Sequence, residues 1–158
     1  MSRSWKSWLD QFNLTSVKLN LKFIELEFNP QPSDRAAAWD LYIELLTRTA
    51  TQSLPSDAGD EEAALKSVYS IFETTRAVLK SHGTECVVFS KIAIPVLNQT
   101  IRPFTSKWHK LLLSGAFEDP TAQASFRSEL ELLQNELRIY TKMLADLAGV
   151  EDLTDLTN

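Results

Sequence analysis

Arg102 and His109 stand seven positions apart in the run Arg102–Pro103–Phe104–Thr105–Ser106–Lys107–Trp108–His109. On an α-helix that spacing is about two turns, so both side chains project from one face. A guanidinium keeps its positive charge throughout the physiological range, whereas an imidazole exchanges a proton near neutrality. A pair of this kind can hold an anionic group and move a proton at it. The plainer alternative pairs Arg102 with an acid at the core edge and leaves His109 as a surface or core-edge histidine. Arg76 and His82 repeat the pattern with one residue fewer between them.

A second constellation is a polar seam on otherwise apolar helical stretches, made of Glu44, Arg48, Arg76, Asn98, Gln99 and Arg102. Arg48, Arg76, Asn98 and Gln99 are the candidate ligands for a small anion or nucleotide, because guanidinium forks and amides suit phosphate oxygens. The structural alternative is internal pairing, with Glu44 four residues before Arg48 and Glu73 beside Arg76. Neither a metal nor a cofactor is expected. Two histidines and one cysteine occur without Glu-x-x-His, His-x-x-x-His or Cys-x-x-Cys spacing, and no nucleophile elbow is present. Cys86, followed by Val87, Val88 and Phe89, reads as a small buried hydrophobe.

The Arg102–His109 octapeptide resembles the Arg-x4–6-His signature of HEPN-type helical ribonucleases. The resemblance covers these eight residues and the helical class. It implies metal-independent RNA cleavage at a site shared across a dimer. His109 would handle the proton of the 2′-hydroxyl and Arg102 would stabilise the phosphorane. The sequence departs from the family in placing Pro103 after the arginine, where a polar residue is usual. The gap of six is also at the long end.

With 158 residues, 44% of them hydrophobic and 23% charged, the chain has the composition of one ordinary globular domain. Four glycines argue against a Gly-looped phosphate binder. The net charge of −5 argues against a generic nucleic-acid binder, although a local basic patch could still touch RNA. Charge is uneven: residues 1–22 carry four bases against Asp10, and residues 117–158 carry nine acids against three bases. A lone cysteine, no apolar run long enough to span a bilayer and no signal-like start together suggest a cytoplasmic protein.

The elements that must position these residues are mostly helices. Trp5, Trp8 and Phe12 fall at helical spacing in a short amphipathic helix. It either packs on the domain or touches a membrane surface or a partner, with Arg3 and Lys6 on its polar side. Residues 15–28 alternate as a β-strand whose phase flips at Phe23–Ile24, and Pro30 and Pro32 end it. A lone strand needs a partner. It either pairs with a second copy or another protein's sheet, or it lies extended across the bundle with both faces partly buried. The first long helix starts at Ser33 and runs to about Ser53, with Trp39, Tyr42, Ile43, Leu46 and Ala50 inward. The second runs from about Asp60 to Ser81, with Leu65, Val68, Phe72 and Leu79 inward, and stops at Gly83.

The third, over 86–114, keeps its apolar rhythm across Pro95 and Pro103 and is therefore one kinked helix. The fourth starts at Asp119–Pro120 and ends at Gly149. Its seam of Phe126, Leu130, Leu133, Leu137, Tyr140, Leu144 and Leu147 repeats as four, three, four, three. Residues 33–148 thus form a mainly α, up-down four-helix bundle. Residues 1–28 precede it as a short helix and a strand, and the acidic tail 150–158 frays or adds a short turn. Three functions follow as expectations. The first is a non-catalytic interaction or assembly module, acting through oligomerisation or a protein partner at strand 15–28. The second is the HEPN-like ribonuclease, and the third is a sensor of a small anionic ligand.

Overall fold

The computed structural model describes residues 3–19, 21–48, 51 and 60–157. Its elements in chain order are β1 (Arg3–Ser4), α1 (Trp5–Leu9), α2 (Leu21–Ile24), β2 (Glu27–Phe28), α3 (Pro32–Leu46), α4 (Glu61–His82), α5 (Val87–Pro95), α6 (Arg102–Leu113) and α7 (Pro120–Ala148). A π-turn, Val96–Ile101, joins α5 to α6 without leaving the helical region, so residues 87–113 form one continuous helix. With that unit counted as one helix, α3, α4, α5–α6 and α7 make the four-helix bundle.

Helix α7 is the spine. Asp119 caps it by accepting from the Thr121 amide at 3.1 Å, and Gly149 ends it in the left-handed region at φ 73°. That φ suits glycine because a side chain there meets its own backbone. All seven seam residues from Phe126 to Leu147 are buried. Helix α3 packs along α7 more extensively than any other element. Its inward stripe is Ala37, Ala38, Leu41, Tyr42 and Leu45, about one position off the expected one. Trp39 and Ile43 instead face outward, because Ala37 and Ala38 let α3 approach its neighbours closely. The helix is also shorter than expected: it ends at Leu46, and Ala50 and Ser53 lie outside the described residues.

The start of α3 also differs from the sequence reading. Gln31, not Ser33, is its N-cap, with Pro32 at the first position. Asp34 is fully buried, and its two oxygens reach two helix starts. Oδ2 accepts from the Gln31 amide at 2.7 Å, and Oδ1 accepts from the Phe89 amide in the first turn of α5 at 2.9 Å. One carboxylate therefore caps two helices, with the positive end of each dipole facing it. In α4, Asp60 caps the start and Gly83 ends it, as expected; the buried side adds Ile71, Thr75 and Val78, and Leu79 is half-buried.

Pro103 has no N–H to donate, which would leave a gap in an α-helical ladder. The π-turn absorbs it: the Arg102 amide donates to Leu97 O, five residues back. The expected kink is thus a π-bulge.

The largest correction concerns residues 15–28. They are not one strand. Only Glu27–Phe28 is strand, paired antiparallel with Arg3–Ser4 of the same chain, and Leu21–Ile24 is a helical turn. Residues 13–19 run without regular structure across the bundle, held by side chains. Ser16 Oγ donates to Glu136 at 2.9 Å and lies 2.6 Å from Thr100 Oγ1. The Lys18 amide donates to Gln99 Oε1 at 2.6 Å, and Gln99 Nε2 donates back to Lys18 O at 3.1 Å. The primary amide of Gln99 thus does for one residue what a neighbouring strand would do. The alternation therefore marks no ladder: it covers residues that cross the bundle and continues through the helical turn Leu21–Ile24.

Helix α1 belongs to the core. Trp5 and Trp8 are buried, which removes them from any membrane-facing role. Phe28 stacks on Trp8 with ring centroids 4.2 Å apart, and Phe23 lies 4.3 Å from Trp5. Trp8 Nε1 and Arg3 both donate to Asp146, near the end of α7. The tail is anchored as well: the Leu153 amide donates to the Tyr42 hydroxyl at 2.7 Å, Thr154 is buried, and residues Thr154–Thr157 form a 3-10 turn.

Candidate functional site

Arg102 opens α6, immediately after the π-turn, and His109 follows two turns later on the same face. Both line one concavity of about 190 Å³ with Tyr69, Phe72, Arg76, Thr105 and Ser106. Helix α4 supplies Tyr69, Phe72 and Arg76, and α6 supplies the rest. The two guanidiniums share one aromatic floor, with Arg102 Cζ 4.8 Å and Arg76 Cζ 5.6 Å from the Phe72 ring centroid. Cation–π attraction holds both near the Phe72 ring. Arg102 Nε donates to Asn98 Oδ1 at 3.2 Å, which fixes the plane of the fork. Among the described residues no carboxylate lines the concavity.

The other sequence-predicted residues fall elsewhere. Arg48 is committed to structure: it donates to Ser70 Oγ at 2.6 Å and Thr74 Oγ1 at 2.7 Å, and pairs with Glu44 at 2.8 Å. It stitches the end of α3 to α4, as the internal-pairing alternative requires. Gln99 is spent on Lys18, and Asn98 acts through Arg102. The Glu73–Arg76 pair is not made among the described residues. Glu73 instead lines a separate concavity with Asp40 and Glu44. His82 does not meet Arg76; its Nε2 lies 2.6 Å from Asp40 Oδ2. His82 of the second Arg/His match is thus turned to Asp40, whereas Arg102 and His109 line one concavity.

Sequence reasoning missed a larger feature. An open groove of about 670 Å³ runs between Lys18, Leu19, Phe23 and Leu26 on one side and α5 on the other. Its apolar wall comes from Leu19, Phe23 and Leu26 on one side and from Val87, Ile94 and Pro95 on the other. Leu26, Val87 and Ile94 are 52%, 50% and 45% exposed, which marks an apolar stripe left open. Val87 and Ile94 stand two turns apart with Lys91 between them, one face of α5. Among the described residues Lys18 and Lys91 are the charged ones lining the groove, and Lys91 Nζ sits 4.7 Å from the Phe23 ring centroid. The signal was present as the run Val87–Pro95, but it reads equally as core.

Cys86 is buried and its thiol donates to Gly83 O at 3.1 Å, in keeping with a packing role. Among the described residues no cluster of His, Cys, Asp and Glu could hold a metal ion, and no helix is long and apolar enough to cross a membrane. The chain matches no protein-family description, no curated protein and no solved structure.

Proposed function

We propose that this chain is a non-catalytic interaction module that receives an amphipathic helix of a partner protein in the groove that Lys18, Leu19, Phe23 and Leu26 form with α5. The observation that carries the reading is the open apolar stripe of Leu26, Val87 and Ile94, bordered by Lys18 and Lys91. An exposed stripe at helical spacing suits helix-in-groove recognition, in which apolar anchors three and four residues apart enter the groove. The two lysines select an occupant with acidic residues beside its apolar face. The segment expected to reach a partner by strand pairing would thus do so as one wall of a groove. A photo-crosslinking residue at Val87, with one at exposed Leu132 as control, tests this in extract of the cells that make the protein. Crosslinks specific to Val87, mapping to an acidic amphipathic segment and lost in Lys91→Glu, support it. Crosslinks only to a second copy of this chain, or none beyond the control, overturn it.

A second reading is RNA cleavage at Arg102 and His109, favoured because the two side chains line one concavity. Histidine would move the proton of the attacking hydroxyl and arginine would stabilise the pentacoordinate phosphorus. Purified chain should then cleave single-stranded RNA in EDTA, and His109→Ala should abolish that activity. Equal inertness of both proteins sinks this reading.

A further inference from the structure

We infer that the concavity between α4 and α6 is a binding site for a nucleotide phosphate, with Arg76 and Arg102 as the phosphate ligands and Tyr69 as the platform for the base. This neither needs the groove nor requires that any bond be cleaved.

Three observations converge. First, the charge is unbalanced. Arg76, Arg102 and His109 gather without a lining carboxylate, and among the described residues none of the three forms an ion pair. Three arginines elsewhere take acidic partners: Arg48 pairs with Glu44, Arg127 with Glu61 and Arg3 with Asp146. Second, the guanidiniums are pre-organised. Both are held over Phe72, and Asn98 occupies only the Nε of Arg102, so its terminal nitrogens remain available. Arginine side chains lose much rotamer freedom on binding, and fixing them beforehand reduces that loss. A planar fork with free terminal N–H groups suits phosphate oxygens. Third, the rim is aromatic. Tyr69 is 60% exposed and its ring lies 5.7 Å from that of Phe72. An exposed ring beside two arginines offers a base a face to stack on. The Ser106 hydroxyl and the His109 ring N–H add donors at the edge of a space suited to one phosphate group.

The phosphate could come from a free mononucleotide or from single-stranded RNA, and calorimetric titration at low salt separates the two. The probes are AMP, inorganic phosphate and a hexanucleotide RNA, each with the full chain. AMP should bind saturably at one site per chain. Arg76→Gln and Arg102→Gln, both at exposed positions, should each weaken AMP by about tenfold, the share of one charge-assisted contact. Tyr69→Ala should weaken AMP more than inorganic phosphate and so remove the preference for AMP. A hexanucleotide that binds more tightly than AMP, with a steeper salt dependence, assigns the site to RNA; equal or weaker binding assigns it to free nucleotide. Absence of saturable AMP and hexanucleotide binding, or AMP binding that Arg76→Gln leaves unchanged while far-UV circular dichroism shows an intact fold, overturns the inference. AMP binding without RNA cleavage supports it while sinking the ribonuclease reading.

Discussion

Asp34 is one buried carboxylate serving two helix starts, so its removal acts at two places at once. Asp34→Ala leaves the Gln31 and Phe89 amides without their acceptor. Losing a side-chain cap costs roughly 0.5–2 kcal/mol, so the pair should cost about 1–4 kcal/mol, read as a lower urea midpoint with unchanged slope. A loss below the single-cap range would mean that the shared cap is not used. Tyr140 presents the opposite case. Its ring belongs to the α7 seam, but its hydroxyl is buried with no hydrogen-bond partner among the described residues. Burial pushes its pKa well up. The folded chain therefore holds this proton more tightly than the unfolded chain. The associated stability is complete below the unfolded pKa of about 10 and falls as pH rises above it. Tyr140→Phe should leave stability at pH 7 unchanged or raised by up to about 1 kcal/mol, and should flatten the decline above about pH 10. A loss of more than about 1 kcal/mol at pH 7 would reveal a partner for the hydroxyl. Asp34 lay open to view in the sequence only as a first-turn acid of α3. Its second bond spans 55 positions, and no local pattern encodes that.

At the scale of elements, what was legible is what is periodic. The α7 seam, its Asp119 cap and its Gly149 stop all stand where the spacing placed them, because long helices bury one stripe and end in characteristic ways. The unbroken helix through Pro95 and Pro103 was legible for the same reason, though not its π-turn, since an extra residue in a turn leaves the apolar rhythm nearly intact. Residues 15–28 misled because the period-2 alternation runs through two different structures: residues 15–19 cross the bundle without a neighbouring strand, and Leu21–Ile24 is a helical turn despite the pattern. Side chains from two helical units satisfy the crossing segment instead: Glu136 from α7, and Gln99 and Thr100 from the π-turn. The π-turn thus does two jobs. It sets Gln99 and Thr100 towards the N-terminal segment and delivers Arg102 to the α4–α6 concavity. Of the predicted site residues, Arg76, Arg102 and His109 line one concavity and Arg48 does not. Helical spacing fixes faces within one helix, whereas tertiary packing decides which faces converge.

Across the whole molecule, the N-terminal segment is part of the fold. Trp5, Trp8 and Phe28 join the same buried cluster as the α7 seam, and Lys18, Leu19, Phe23 and Leu26 form one wall of the groove. The groove exists only if this segment closes on its own bundle, and that closure is the central claim. Residue-resolved amide hydrogen exchange of the free chain tests it most directly. The Ser16 and Lys18 amides donate to Glu136 and Gln99, so both should exchange roughly 10- to 100-fold more slowly than in an unstructured peptide, a local opening free energy of about 1–3 kcal/mol. Gln99→Ala should remove the protection at Lys18 while α7 stays protected. Exchange of both amides at the unstructured rate in the unsubstituted chain would contradict the closure, and with it the groove.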